Sequence, residues 1–411
     1  MTALLLLLAA DAWTGFRGDG SGVSAAKNLP LEWTPKTLAW SAKLPGYGQS
    51  SPVIRSGKAF VTACDGPMKD KCLVLAFDLA TGKELWRQEL AATQKAKPDF
   101  SVSKAAPTPV VDGEGLTVFF ESGELARFSL DGKQLWARSL VKEYGEFKNG
   151  HGLSASLAQT ADGVLVLIDH QGPSYLLLAS KKDGKNVWKV ARKSRTSWTS
   201  PVVVGDKAVI SSGGSVDVYS LKDGERLSTY GDLKSNNVPS AVVAGDRVVV
   251  GATLPQRGGG AEDSLKSCCC LALGKDGKLG EKPEWVSEKA TASFASPLIA
   301  GEQAYYVGTP GVVFCLDLKT GKQLWAERTP SGACWAAPVA AMGKVWLFGK
   351  NGVVTVLEGG PKYKKVASSK TWEEPEAKPK DRFAGSTLYG VALADGTILM
   401  RTGTMLYAVR K

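Results

Sequence analysis

The chain holds two histidines, and both fall in one short region. His170 lies in the segment Ile168-Asp169-His170-Gln171-Gly172-Pro173-Ser174-Tyr175, a second-to-third loop of its repeat, and His151 lies in the crossover entering that repeat. Asp169, Arg192, Arg195 and Trp198 lie close by in sequence. Such a set could hold an anion or a sugar, with arginines clamping carboxylate or phosphate and an indole offering an apolar platform. It could also act as an acid–base pair. The competing reading is ordinary loop histidines making turn hydrogen bonds, with Arg192 and Trp198 packing structural units together. Two histidines and one aspartate without diagnostic spacing do not make a metal motif, so no metal is expected. No nucleophile elbow, phosphate-cradling glycine loop or framed carboxylate pair is present, and no catalytic residue is assigned. Gly258-Gly259-Gly260 reads as a loop tip.

Seven cysteines are the other reactive groups. Cys64 and Cys72 flank a loop between two apolar runs, so they could meet across a hairpin as a disulfide in an oxidising compartment. Cys315 and Cys334 lie in neighbouring units. Cys268-Cys269-Cys270 opens a strand, where successive side chains point to opposite faces, and reads as small buried residues.

These residues are positioned by a repeated strand-turn-strand phrase. Its clearest copy is Ala76-Phe77-Asp78-Leu79-Ala80-Thr81-Gly82-Lys83-Glu84-Leu85-Trp86, and a near copy is Phe314 to Trp325. Looser copies end at Trp136, Trp188, Tyr230 and Trp285. The spacing of roughly 40–55 residues is that of four-stranded propeller blades. Each unit opens on a small residue, often followed by Pro, as in Ser51-Pro52, Thr108-Pro109, Ser200-Pro201, Ser296-Pro297 and Ala337-Pro338. Openings near Ser50, Ala106, Ser154, Thr199, Pro239, Ala295, Ala336 and Ser386 give eight units. The eighth has only three strands, ending in Leu406 to Val409, while Leu38 to Leu44 around Trp40 resembles an orphan outer strand. The fold expected is therefore all-β: one eight-bladed β-propeller over 13–411, closed by an N-terminal strand, which removes the open sheet edges. The repeated indoles are expected to pack between blades, each N–H on a carbonyl.

Loop lengths distinguish two faces. First-to-second and third-to-fourth turns are short and uniform, as in Asp183-Gly184-Lys185. Second-to-third loops and blade-to-blade crossovers vary widely, and binding concentrates where loops vary. His151, Asp169, His170, Arg192, Arg195 and Trp198 all fall on the variable side. The partner is expected there.

Composition bounds the partner. Lys and Arg number 51 against 40 Asp and Glu, a formal net charge of +11. The basic residues are dispersed beside turn glycines, which reads as a solvated surface and not a nucleic-acid stripe. Residues 1–12 read as a signal peptide: Ala3 to Ala10 is apolar and short, and Ala10-Asp11-Ala12 offers small residues for cleavage before Trp13. No stretch is long enough for a membrane span. An exported, periplasmic or extracellular protein, monomeric, is expected.

The phrase Ala-x-Asp-x-x-Thr-Gly-Lys-x-x-Trp at Ala76 to Trp86 resembles the repeat of pyrroloquinoline-quinone (PQQ)-like β-propellers. Phe16-Arg17-Gly18-Asp19-Gly20-Ser21-Gly22, Tyr47-Gly48-Gln49-Ser50-Ser51-Pro52 and Trp198-Thr199-Ser200-Pro201 resemble a secreted bacterial subgroup. The resemblance implies one of two roles. Scaffold propellers of the BamB-like kind bind protein partners in the cell envelope without a cofactor. Quinoprotein dehydrogenases bind PQQ with calcium under a vicinal disulfide and use an Asp base, for which no matching positions stand out here. The reading taken is a non-enzymatic binding or scaffold module of the bacterial envelope, with a protein or an extracellular glycan as partner. The alternatives are a PQQ-dependent dehydrogenase and a polysaccharide-binding or carbohydrate-active propeller.

Overall fold

A computed structural model describes residues 10–97, 102–254, 260–309, 311–373 and 386–411. Most of the expected signal peptide and of the Gly258–Gly260 tip lies outside them. The described strands form eight antiparallel sheets arranged as propeller blades. Blade 1 is typical, with strands Val53–Arg55, Lys58–Asp65, Lys71–Asp78 and Glu84–Ala91 in sequence order from inner to outer edge. Blade 8 contributes Gly390–Ala394, Thr397–Arg401 and Met405–Arg410, and its outer strand is Trp40–Lys43, paired Trp40↔Ala408 through Lys43↔Met405. The ring is closed by the N-terminal strand, as its repeat-like sequence implied.

Burial follows strand position. The second and third strands of blade 1 are buried almost throughout, whereas the outer strand Glu84–Ala91 alternates half-buried and exposed residues. An outer strand with one wet face keeps its polar alternation; middle strands flanked by neighbouring blades on both faces do not. The apolar clusters accordingly lie between blades. Phe60, Val74 and Ala76 of blade 1, for instance, pack with Val118, Ala126 and Phe128 of blade 2.

The Thr-Gly-Lys-x-x-Trp phrase is an inter-blade joint. Trp40 lies where a Cβ on Gly82 would sit, and the same holds for Trp86 on Gly132, Trp136 on Gly184, Trp188 on Gly224 and Trp285 on Gly321. Each of these glycines has positive φ, a conformation that costs little without a Cβ. The indole N–H then donates to a carbonyl of the same turn, as in Trp40 to Leu79 O (3.0 Å), Trp86 to Leu130 O (3.0 Å) and Trp285 to Leu318 O (2.8 Å). Blade 4 departs from the expected phrase. Register places Ser228, not Tyr230, at the tryptophan position, because Val218 pairs with Ser228 after the shift that also precedes Trp86. Ser228 donates to Gly277 O instead.

The small residue opening each blade has its own physical reason. Its backbone N–H donates to the hydroxyl of the equivalent residue in the next blade: Ser51 to Thr108 (2.9 Å), Thr108 to Ser156 (3.1 Å), Ser156 to Ser200 (2.9 Å), Ser200 to Ser240 (2.8 Å) and Ser240 to Ser296 (3.0 Å). The chain of hydroxyls stops where blade 7 has Ala337. Near the opposite end of the inner strands, residues 13–27 cross the short-turn face. Trp13 bridges Ile54, Arg17 donates to Pro297 O (2.8 Å), Val23–Ser24 pair parallel with blade 7, and Lys27 N–H reaches Asp395.

Candidate functional site

The six side chains singled out from the sequence separate into three groups. Asp169 directly follows the second strand of blade 3 (Gly163–Ile168) and Arg192 ends its outer strand; both side chains are 1% exposed. Arg192 forks onto Asp169, with Nε to Oδ1 at 2.9 Å and a terminal nitrogen to Oδ2 at 3.1 Å. Its other terminal nitrogen reaches Asp217 (3.3 Å) and Tyr219 Oη (2.6 Å) of blade 4. Ser212 Oγ donates to Asp169, and Thr229 and Ser215 donate to Asp217. Arg195 is half-buried and donates to Ser215 Oγ (2.7 Å) and to Ser212 O (3.1 Å). Two carboxylates around one guanidinium, with their remaining lone pairs hydrogen-bonded, satisfy the conditions for a buried charge cluster. It ties blade 3 to blade 4. Asp169 and Arg192 are thus held inside the fold.

His170 is also buried, at 2% exposure. Its Nδ1 accepts from Lys148 N–H (2.9 Å) and Gly172 N–H (3.2 Å), and its Nε2 faces Pro173 O at 3.0 Å. The Nε2–H tautomer satisfies all three contacts. Desolvation lowers the imidazole's pKa, so the ring is neutral here. It organises the loop and staples the blade 2–3 crossover.

His151 and Trp198 come together at the surface. His151 is exposed, Trp198 half-buried, and their rings lie 6.1 Å apart. Trp198 Nε1 donates to Gly152 O at 3.1 Å. Both sit on crossovers entering blades 3 and 4, on the long-loop face.

The cysteines carry no redox cluster. Cys269 packs between blades 4 and 5, and Cys268 and Cys270 between blades 5 and 6. Burial pushes Cys268 up to about 11 and Cys270 up to about 12. Facing away from one another, Cys269 and Cys270 do not form a vicinal cap over a quinone. Among the described residues, no three of His, Cys, Asp and Glu group so as to hold a metal ion. Cys315 and Cys334 face separate carbonyls, Gly360 O and Gly332 O. Cys64 and Cys72 are directly opposed in register, both buried, with their thiols unlinked. Cys64 exchanges both backbone hydrogen bonds with Tyr47 on its other side, so the Cys64–Cys72 pair is the close, non-hydrogen-bonded kind. Hydrogen bonding to Cys72 and burial push the Cys64 thiol well up.

Sequence reasoning overlooked other aromatic residues on the long-loop face. Phe294 and Trp335 occupy the same offset as Trp198, two residues before the small residue that opens a blade. Comparing that one position across the repeats would have found them.

Comparison with known proteins bears on the architecture directly. The family described as Outer membrane protein assembly factor BamB (PQQ_2) matches residues 27–148 and 123–399. The chain belongs to this family. An Outer membrane protein assembly factor BamB of Moranella endobia is 28% identical over 225 residues, covering 54% of this chain and 52% of the relative. One of Shewanella oneidensis is 23% identical over 209 residues, 49% of this chain and 51% of the relative. The chain thus aligns with about half the length of these relatives. Among solved structures, BamB from Moraxella catarrhalis superposes with a TM-score of 0.63 at 12% identity, covering 91% of this chain and 99% of the other. A europium-containing methanol dehydrogenase gives 0.60 at 10% identity, covering 98% of each. At such identities both establish the propeller fold alone.

Proposed function

We propose that this PQQ_2-family propeller is an exported, non-enzymatic scaffold that holds a protein partner in the bacterial cell envelope, on its long-loop face. The carrying observation is how the polar groups are used. Asp169, Arg192 and His170, the residues best suited to acid–base work, are consumed in buried hydrogen bonds, while His151 and Trp198 remain at the surface. A side chain must reach substrate to catalyse, whereas a broad face of exposed rings suits protein recognition. The two relatives carry the description of outer membrane protein assembly factors, and assembly of outer membrane proteins is the process proposed for this chain.

A photo-crosslinking residue placed at His151 is expected to capture a defined envelope protein, and one at Lys185, on the short-turn face, to capture none. In parallel, purified protein is given PQQ and calcium and assayed for dye reduction with alcohols and sugars. Saturable turnover would replace the scaffold reading by the dehydrogenase one. A glycan captured in place of a protein would replace it by the polysaccharide-binding one.

A further inference from the structure

The residue two before the opening small residue stands on the crossover entering each blade from the long-loop face. In blades 1 to 3 it is Gln49, Ala106 and Ser154; in blades 4 to 7 it is Trp198, Val238, Phe294 and Trp335. In blade 8 it is the buried Leu388, whose neighbour Tyr389 is half-exposed. The repeat therefore sets an apolar arc on one side of the face only. Over blades 6, 7, 8 and 1 the arc becomes a continuous line of rings. Phe294 and Trp335 lie 4.6 Å apart at 31°, Trp335 and Tyr389 5.6 Å apart at 69°, and Tyr389 and Tyr47 6.4 Å apart at 81°. Phe294 is 44% exposed. Exposed aromatic groups gathered in one patch mark interaction surfaces far more often than scattered ones do, and tryptophan and tyrosine dominate interface hot spots.

The electrostatics of the arc are one-sided. Lys350 Nζ lies 5.9 Å from the Trp335 ring centre, and Lys350 has no ion pair among the described residues. Arg401, fully buried beside Tyr47 and Gly48, donates among the described residues to neutral oxygens: Ser50 O (2.9 Å), Ser50 Oγ and Thr62 O (2.5 Å). Desolvation lowers its pKa to about 9, so it is charged at neutral pH. The described loops carrying the rings (44–50, 287–296, 329–337, 349–352 and 386–389) contain one carboxylate, Glu288, and two cations, Lys289 and Lys350.

Resting on the scaffold reading above, we propose that this aromatic arc docks an acidic peptide segment of the protein partner, with a bulky apolar side chain set between carboxylates. The apolar residue would pack on Phe294 and Trp335, and its flanking carboxylates would face Lys350 and the positive field of Arg401. A sugar fits less well. The tyrosine hydroxyls bond to each other at 2.8 Å, and the rings cover one another's faces and edges.

The test uses the full chain and a fluorescein-labelled peptide with one phenylalanine flanked by glutamates and aspartates. A lysine-flanked counterpart and a labelled chito-oligosaccharide serve as controls, all read by fluorescence anisotropy. The acidic peptide is expected to bind saturably and to weaken as salt rises. Phe294→Ser, Trp335→Ala and Lys350→Glu should each weaken it about tenfold or more, as loss of a central contact does. Lys185→Ala, on the short-turn face, should leave it unchanged. Phe294→Ser, at an exposed site, should keep the wild-type melting midpoint. Equal binding of the lysine peptide, indifference to Phe294→Ser, or binding of the oligosaccharide instead would each overturn the proposal. A protein cross-linked at His151 with no acidic-peptide binding would overturn it too, while leaving the scaffold reading standing.

Discussion

Substituting Arg192 with methionine separates the structural role of the blade 3–4 charge cluster from a role in partner contact. Methionine keeps much of the apolar stem and removes the fork that holds Asp169 and Asp217. Asp217 retains its bonds from Ser215 and Thr229 and has Arg195 at 4.0 Å. Among the described residues Asp169 keeps Ser212 alone, which leaves a buried carboxylate without its cation. Breaking a buried pair in this way costs about 3–5 kcal/mol. With 411 residues and an unfolding entropy of about 2.1 cal/mol/K per residue, that lowers the melting midpoint by about 3–6 °C. Asp169→Asn leaves Arg192 paired with Asp217, and its cost should be about 1–3 kcal/mol. Since the asparagine also relieves the stranded charge, the double variant should be more stable than the sum of the two by about 1 kcal/mol or more. Thermal and urea melts of the four proteins measure this, beside affinity for the captured envelope partner at a temperature where all are folded. An Arg192→Met protein with an unchanged midpoint and a lost partner would refute the latch and return Arg192 to the binding face.

The inter-blade joint predicts that Gly82→Ala, with a new Cβ 2.4 Å from the Trp40 ring at φ +72, destabilises by clearly more than the about 1–2 kcal/mol of left-handed strain alone. Gly57→Ala, with φ +69 and nothing within 4 Å, should cost only the strain, and equal midpoints for the two would contradict the joint. His170 has a lowered folded pKa, so the unfolded chain takes the proton more readily. Its contribution is full above the unfolded value of about 6.5 and is lost as pH falls below it. His170→Gln should flatten the stability profile between about pH 7 and 5, and an unchanged profile would show that another group governs it. Cys64 and Cys72, opposed at a non-hydrogen-bonded register, should close to a disulfide on exchange with oxidised glutathione, which takes up the two electrons and protons. Alkylation and mass should register the loss of two thiols, and an equal loss in Cys64→Ser would refute the pairing.

Architecture was legible because each blade repeats its own local chemistry. The Gly82-type turn needs a positive φ, its tryptophan covers that glycine from the preceding blade, and Thr108, Ser156 and their equivalents need a hydroxyl to accept the preceding blade's backbone N–H. These demands act at fixed offsets, so they reappear in sequence at a fixed period. Even the closing strand was visible, since Trp40 obeys the joint toward Gly82 that Trp86 obeys toward Gly132. Tyr230 misled because an aromatic residue ended the phrase without occupying the joint, a distinction made by strand register alone.

The site was less legible for a different physical reason. Whether an arginine or a histidine faces solvent or its own fold depends on what the neighbouring blade brings to it, and that neighbour lies tens of residues away. Arg192 looked like a ligand clamp while Asp217 and Tyr219 were separate words in the sequence; packed against blade 4, its side chain is buried and spread over Asp169, Asp217 and Tyr219. His170 looked reactive, yet the Lys148 amide of the preceding crossover occupies its Nδ1. The residues that remain at the long-loop face are those whose blade neighbours could not satisfy or cover them, Phe294 above all. Propeller rings repeat their structural residues, so a bulky apolar group that recurs at one offset in blades 4 to 7 and is absent from blades 1 to 3 cannot be explained by closing the ring. That asymmetry is the ground on which the aromatic arc is proposed as a partner site.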